Sequence, residues 1–207
     1  MEDVLNLYEQ PYDSRYPVIC FDERPCQLIS DTIAPIPMKP GNPKREDYEY
    51  SRNGTCCIFI ALEPLAGKRI IRVKRHRTKE DYAQFMKELI RHYPDAEFIR
   101  LVQDNLNTHT PGSFYGAFAP QEAFDLAMKF ECHYTPKKGS WLNMAEIEIS
   151  ALSKQCLDRR IGDIGRLANE VDAWEHERNQ LKAKVRWQFN KNKAREKLHG
   201  QYVSVLN

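Results

Sequence analysis

Three carboxylates in this chain stand where a folded sheet would place a ligand. Asp104 follows the short apolar run Phe98-Ile99-Arg100-Leu101-Val102-Gln103 and opens the polar turn Asp104-Asn105-Leu106-Asn107-Thr108-His109. Asp22 closes Tyr16-Pro17-Val18-Ile19-Cys20-Phe21-Asp22, and Glu146 lies near the start of an amphipathic stretch. An acid just beyond the C-terminal end of a buried strand sits in the crevice where open sheets bind ligands. Brought together, three carboxylates supply the hard oxygens that a divalent ion such as magnesium requires. Two such ions about 3.5–4 Å apart can stabilise both the attacking and the leaving oxygen of an in-line phosphoryl displacement.

The elements that would position these acids are legible in the periodicity. Residues 18–21 form a continuous apolar run, as in a strand buried on both faces, and Pro25 is expected to end its pairing. Residues 55–62 make the strongest strand, and 69–74 alternate as a half-exposed partner across a turn. Thr78, followed by Glu80 and Asp81, caps a helix whose Tyr82, Phe85, Leu89 and Ile90 share one face. Strand 97–103 comes next, then a helix over 120–130 with Ala123, Phe124, Ala127 and Met128 inward, and a strand over 131–134. A further helix begins near Trp141, and a long one runs from 164 to about 187 with Leu181 and Val185 on its buried side. Strands followed by alternating helices and strands predict an α/β fold, a mixed sheet flanked by helices. Three segments follow from this order: a lead-in over 1–16, a domain over 17–160 with an excursion at 29–54, and a basic helical extension over 161–207.

Composition narrows the class. Apolar residues are 42% and charged residues 29% of the 207, with a net charge of +2, which describes an ordinary globular chain. No apolar run approaches the roughly 20 residues of a membrane span, and the acidic N-terminus lacks a signal-peptide core, so a cytoplasmic protein is expected. The six cysteines contain no Cys-x-x-Cys pair and are expected to be reduced structural thiols. His76, His92, His133, His176 and His199 show no ligand spacing.

The combination Cys20-Phe21-Asp22-Glu23, Asp104-Asn105-Leu106-Asn107-Thr108-His109 and Leu142-Asn143-Met144-Ala145-Glu146 resembles the catalytic domain of bacterial insertion-sequence transposases of the Tc/mariner superfamily. Asp47-Tyr48-Glu49-Tyr50-Ser51-Arg52-Asn53-Gly54-Thr55 and Val185-Arg186-Trp187-Gln188-Phe189 resemble further segments of that group. The resemblance implies DDE chemistry on a ribonuclease H-like fold, here a mixed five-stranded sheet with a C-terminal basic helical tail. It implies that Asp22, Asp104 and Glu146 hold two divalent ions, Mg2+ or Mn2+, with Asp22 bridging them. The implied reaction is nicking of transposon-end DNA followed by attack of the freed 3′-hydroxyl on target DNA. A transposase-derived DNA-binding protein without turnover, or another ribonuclease H-like nuclease, are the competing readings.

Asn105, His109 and Asn143 are candidates for contacts behind the acids or to substrate. Candidate DNA-backbone contacts are Lys39, Lys44, Arg45 and Arg52 in the excursion, Lys137 and Lys138 in a turn, and Lys182, Lys184 and Arg186 in the tail. Double-stranded DNA is the implied partner, a helix-turn-helix DNA-reading region is expected from a missing or separately encoded segment, and a homodimer would suit the joining of two DNA ends. Glu148 rivals Glu146, because on a helical wheel the apolar stripe lies midway between them. Glu23 points away from Asp22 in a continuing strand and is not expected to be a ligand.

Overall fold

The strongest apolar run of the chain becomes an interior strand of a sheet. The computed structural model describes residues 1–200, and in it β2 (Tyr50–Glu63) is flanked by β1 (Val18–Asp31) and β3 (Lys68–Lys74), both antiparallel to it. On the far side of β1 lie β4 (Ile99–Gln103) and β5 (Phe130–Tyr134), each parallel to its neighbour, giving the order β3-β2-β1-β4-β5. This is the mixed five-stranded sheet expected from the sequence.

Strand alternation divides the β2 run between two cores. Cys57, Phe59 and Ala61 join Phe21, Ile19 and Leu101 beneath α2 (Lys79–Arg91), with Phe114 of α3 (Gly112–Ala117) and Ala123 of α4 (Pro120–Ala127). Ile58 and Ile60 face the other way, against Leu152 of α5 (Ala145–Gln155) and Leu167, Val171 and Trp174 of α6 (Ile164–Gln180). A third cluster joins Leu62, Cys20 and Val102 to α1 (Glu2–Tyr8), Leu142, and Ala194 of α7 (Lys191–Lys197). Both α1 and α6 therefore cover the sheet, and neither residue 16 nor residue 160 marks a break in packing; residues 201–207 lie outside the described residues.

Several local expectations are corrected. Pro25 does not end β1, which continues to Asp31 paired with β2. β4 accompanies β1 only as far as Cys20, so at Pro25 no strand pairs with that edge of β1 and a residue without an N–H is tolerated there. The tyrosines of the excursion do not anchor it: Tyr48 is 85% and Tyr50 43% exposed. The anchor is Arg160, which donates to Asp31 Oδ1 at 2.8 Å, Asp47 O at 2.7 Å and Glu49 O at 3.0 Å. On α4, Phe124 and Met128 face solvent rather than the core.

The last long helix stops at Gln180, not near Trp187. Lys182 takes a positive φ of 46°, and the chain turns away so that Val185 N–H donates to Pro64 O at 3.1 Å. Leu181 is left exposed, whereas Val185, Trp187 and Phe189 pack against the cluster that contains α1. Gly67 permits this crossing: its φ is +69°, and a Cβ there would lie 2.5 Å from Lys182 O.

Candidate active site

The parallel pair β1 and β4 aims two of the acids at one end of the sheet. Asp22 continues β1 two residues past Cys20, the last residue paired with β4, and Asp104 follows Gln103 at the end of β4. Glu146 enters from α5, whose start is tied to β1 by one side chain. Asn143 Nδ2 donates to Phe21 O at 2.7 Å and to Asp22 Oδ2 at 3.3 Å, while Asn143 Oδ1 accepts from Ala145 N–H at 3.2 Å. A helix start with no side-chain cap on its N-cap residue, Met144, is thus secured by a neighbour that also touches the first acid.

Glu146 and Glu148 occupy different environments. Glu146 is exposed and lies close enough to raise the pKa of Asp22. Glu148 is buried between two arginines: Arg69 Nε approaches its Oε1 to 2.7 Å and Arg178 Nε to 2.9 Å. Both carboxylate oxygens of Glu148 are committed to this cluster, as Arg69 Nη2 and Arg178 Nη2 reach Oε2 at 3.4 and 3.2 Å. Of the two glutamates, only Glu146 is left facing the Asp22 end.

Asp104 is held from behind by His109. The ring nitrogen Nδ1 lies 2.5 Å from Asp104 Oδ1, and Nε2 lies 3.1 Å from Glu23 Oε1. The imidazole stacks on Tyr82 with centroids 4.9 Å apart, and its backbone carbonyl accepts from Gln103 Nε2 at 3.1 Å and Tyr134 Oη at 3.3 Å. Glu23, on the opposite face from Asp22, is thus a partner of His109, a role the sequence reading did not assign to it. Alternation placed its face; nothing local in the sequence pointed to a histidine 86 residues away. Asn105 is exposed in the turn.

The electrostatics follow from this placement. Burial, reinforced by the negative charges of Glu146 and Asp104, pushes Asp22 up to about 7, against the lowering effect of the Glu23 N–H. Burial opposes protonation of His109, but the two carboxylates beside it outweigh that and hold it near 9. Both groups bind protons more tightly in the folded chain than at their ordinary values of 3.8 and 6.5. Their stabilising contribution is complete below the unfolded values and is lost as pH rises through the folded ones. In EDTA, stability should therefore fall as pH rises from 5 to 9, by on the order of 2–3 kcal/mol for each group. Melting curves across that range check this. Asp22→Asn should remove the portion between pH 4 and 7, and a parent that grows more stable with rising pH would contradict the assignment.

The donor set suits a hard cation: three carboxylates, one of them under like-charge repulsion that a divalent ion would relieve. The expected convergence within a single ligand shell is not present. Among the described residues no three His, Cys, Asp or Glu side chains are arranged as a ready metal site. The acids share one end of the sheet, where Glu146 and Asp104 act on Asp22, and Asp104 is drawn toward His109.

The candidate cations fall into two groups. Lys39, Lys44 and Arg45 are exposed on the arm between β1 and β2 and Arg52 near the start of β2, all past the carboxylate end, and Lys137 and Lys138 are exposed in the turn after β5 at that same end. Lys44 pairs with Glu46, and Arg52 lies 5.9 Å from the Tyr50 ring centre. Lys182, Lys184 and Arg186 are exposed but sit beside the β2–β3 turn, at the opposite end of the sheet.

A mixed five-stranded sheet flanked by helices, with acids at the ends of two adjacent parallel strands and a third acid on a covering helix, is a ribonuclease H-like arrangement. Residues 17–168 match the model of the DDE superfamily endonuclease family, and the chain belongs to that family. No curated protein sequence matches it. Among solved structures, it is similar to the Mos1 mariner paired-end complex with Mn, at 14% identity and a TM-score of 0.58 over 88% of this chain and 54% of that one. It is also similar to a pre-cleavage Mos1 transpososome, at 13% identity and a TM-score of 0.57 over 90% of this chain and 61% of that one. At such identity the likeness is one of fold, and the chain spans a little over half the length of these relatives.

Proposed function

We propose that this chain is the catalytic domain of a DNA transposase that nicks transposon-end DNA and joins the freed 3′-hydroxyl to target DNA. Asp22, Asp104 and Glu146 would hold two divalent ions, Mg2+ or Mn2+, with Asp22 between them. When bound, the ions would supply a lowered pKa for attacking water and charge stabilisation for the leaving oxygen. The chain's own residues supply the placement. Asn143 fixes Asp22 relative to the start of α5, and His109, backed by Glu23, fixes Asp104. The carrying observation is geometric: Asp22 and Asp104 stand at the same end of the parallel pair β1 and β4, and Asn143 ties Asp22 to the start of the helix that carries Glu146.

One similar structure is a Mos1 transposase paired-end complex with the left transposon end, which supports double-stranded DNA as the partner here. A helix-turn-helix region supplied in the same or a separate chain would select the end sequence, and a dimer would bring two ends together. Among the described residues no helix is long and apolar enough to cross a membrane, and we assign a cytoplasmic, nucleoid-associated location in a bacterium.

The test is nicking of duplex DNA taken from the sequence flanking the protein's own reading frame, with Mg2+ or Mn2+. The parent should nick and Asp104→Asn should not. Equal nicking by both would overturn the metal assignment, and DNA binding by both without nicking would favour a binding protein that has lost turnover.

A further inference from the structure

The segment that links β3 to α2 carries Lys74, Arg75, His76, Arg77 and Lys79, and neither composition nor motif singled it out. Arg75, His76, Arg77 and Lys79 are exposed, and among the described residues none of the five, Lys74 included, has an ion-pair or side-chain hydrogen-bond partner. This sets it apart from Arg72 on the same strand, which pairs with Glu88 and Glu175. Of the acids that follow, Asp81 is turned back into the capping box with Thr78, leaving Glu80 as the local counter-charge. A cationic run kept free of protein partners concentrates positive potential and raises the local concentration of anionic groups.

Strand direction says where that meeting occurs. β3 is antiparallel to β2, which is antiparallel to β1, so β3 runs parallel to β1 and its C-terminal end faces the same way as Asp22. The register gives the scale. Asp22 pairs with Ile60 and Ile60 with Ile71, whereas Lys74 pairs with Cys57, three residues further toward the carboxylate end. That is about 10 Å along the strand and about 10 Å across two strand spacings, a separation of only a few nucleotides on a duplex. On the other flank, Lys137 and Lys138 follow β5, parallel to β4.

We infer that residues 74–79 form a contact surface for the phosphate backbone of duplex DNA, one wall of a track that passes over the carboxylate end of the sheet. The inference rests on the reading that this chain acts on DNA, and it names the surface that would hold the substrate. Side chains of this kind position the duplex without reading its sequence.

The test is fluorescence anisotropy with a labelled duplex in EDTA, where no nicking can occur, over a series of salt concentrations. For Arg75→Ser/Arg77→Ser, the slope of log Kd against log salt should shrink by about two charges' worth, roughly 0.9 each. The melting temperature should not change. The control is Arg91→Ser/Lys129→Ser, which removes two cations from the opposite end of the sheet and should leave the slope as in the parent. An unchanged slope in the first variant, or an equal change in both, would overturn the proposal, as would a duplex RNA that binds more tightly than DNA through the same residues. The metal-dependent reading fails separately: a parent with the expected slope that never nicks keeps the surface and loses the chemistry.

Discussion

Replacing Glu146 by glutamine is expected to abolish metal-dependent nicking, by on the order of 10³-fold or more, while leaving the melting temperature within a few degrees of the parent. Glu146 is exposed and makes no ion pair among the described residues, so the fold loses little when its charge is removed. Its influence is exerted on Asp22, whose raised pKa owes part of its shift to Glu146. The same substitution should therefore lower the Asp22 pKa, readable by carboxyl NMR titration. Activity and titration should both move while stability holds. A Glu146→Gln protein that nicks at the parental rate would remove this residue from the site.

Two residues further on, the opposite outcome is expected. Glu148→Ala should destabilise the protein by about 3–5 kcal/mol, a large fraction of the roughly 5–15 kcal/mol by which an ordinary domain is stable. The Arg69 side chain is fully buried and its Nε is 2.7 Å from Glu148 Oε1, so truncation would strand a guanidinium away from water. Arg178 can swing into solvent, but Arg69 cannot. It is also held by the carbonyls of Gly67, Arg178 and Ala183, so its loss of a counter-ion would be felt where the end of α6 meets the start of β3. The double variant Arg69→Met/Glu148→Met should recover much of the loss, because removing both charges removes the unpaired one. Urea unfolding of the three proteins measures both effects, and a Glu148→Ala protein as stable as the parent would contradict the role given to the pair.

The contrast between these glutamates shows what the sequence could and could not say. Both flank the apolar stripe of their helix at similar angles, and periodicity does not separate them. What separates them is an arginine 79 residues earlier and another 30 residues later, contacts that exist only once β3 and α6 are in place. The strands were readable because burial on two faces leaves a continuous apolar run, as in residues 56–62. The start of α2 was readable because capping is local chemistry, and Thr78 and Asp81 do form the capping box. Element ends were poorly readable where tertiary partners decide them. No glycine or proline marks the stop of α6 at Gln180, which is imposed by Arg69 and Pro64 gripping the chain beyond it. Likewise Pro25 signals the end of pairing only if both edges of β1 are paired there, and at Pro25 only the β2 edge is. The basic run at 74–79 was not singled out, because its place beside the acids depends on β3 running parallel to β1.

The central claim is that Asp22, Asp104 and Glu146 together hold divalent metal, and it is tested most directly by locating the metal. Crystals of the protein with Mn2+ and a duplex ending in a 3′-hydroxyl should show anomalous peaks with Asp22 as a shared ligand, flanked by Asp104 on one side and Glu146 on the other. The Asp104 and Glu146 carboxylates should be drawn toward Asp22, closing the separation that now keeps them from a common ligand shell. Manganese bound away from Asp22, in a protein that still nicks DNA, would contradict the account.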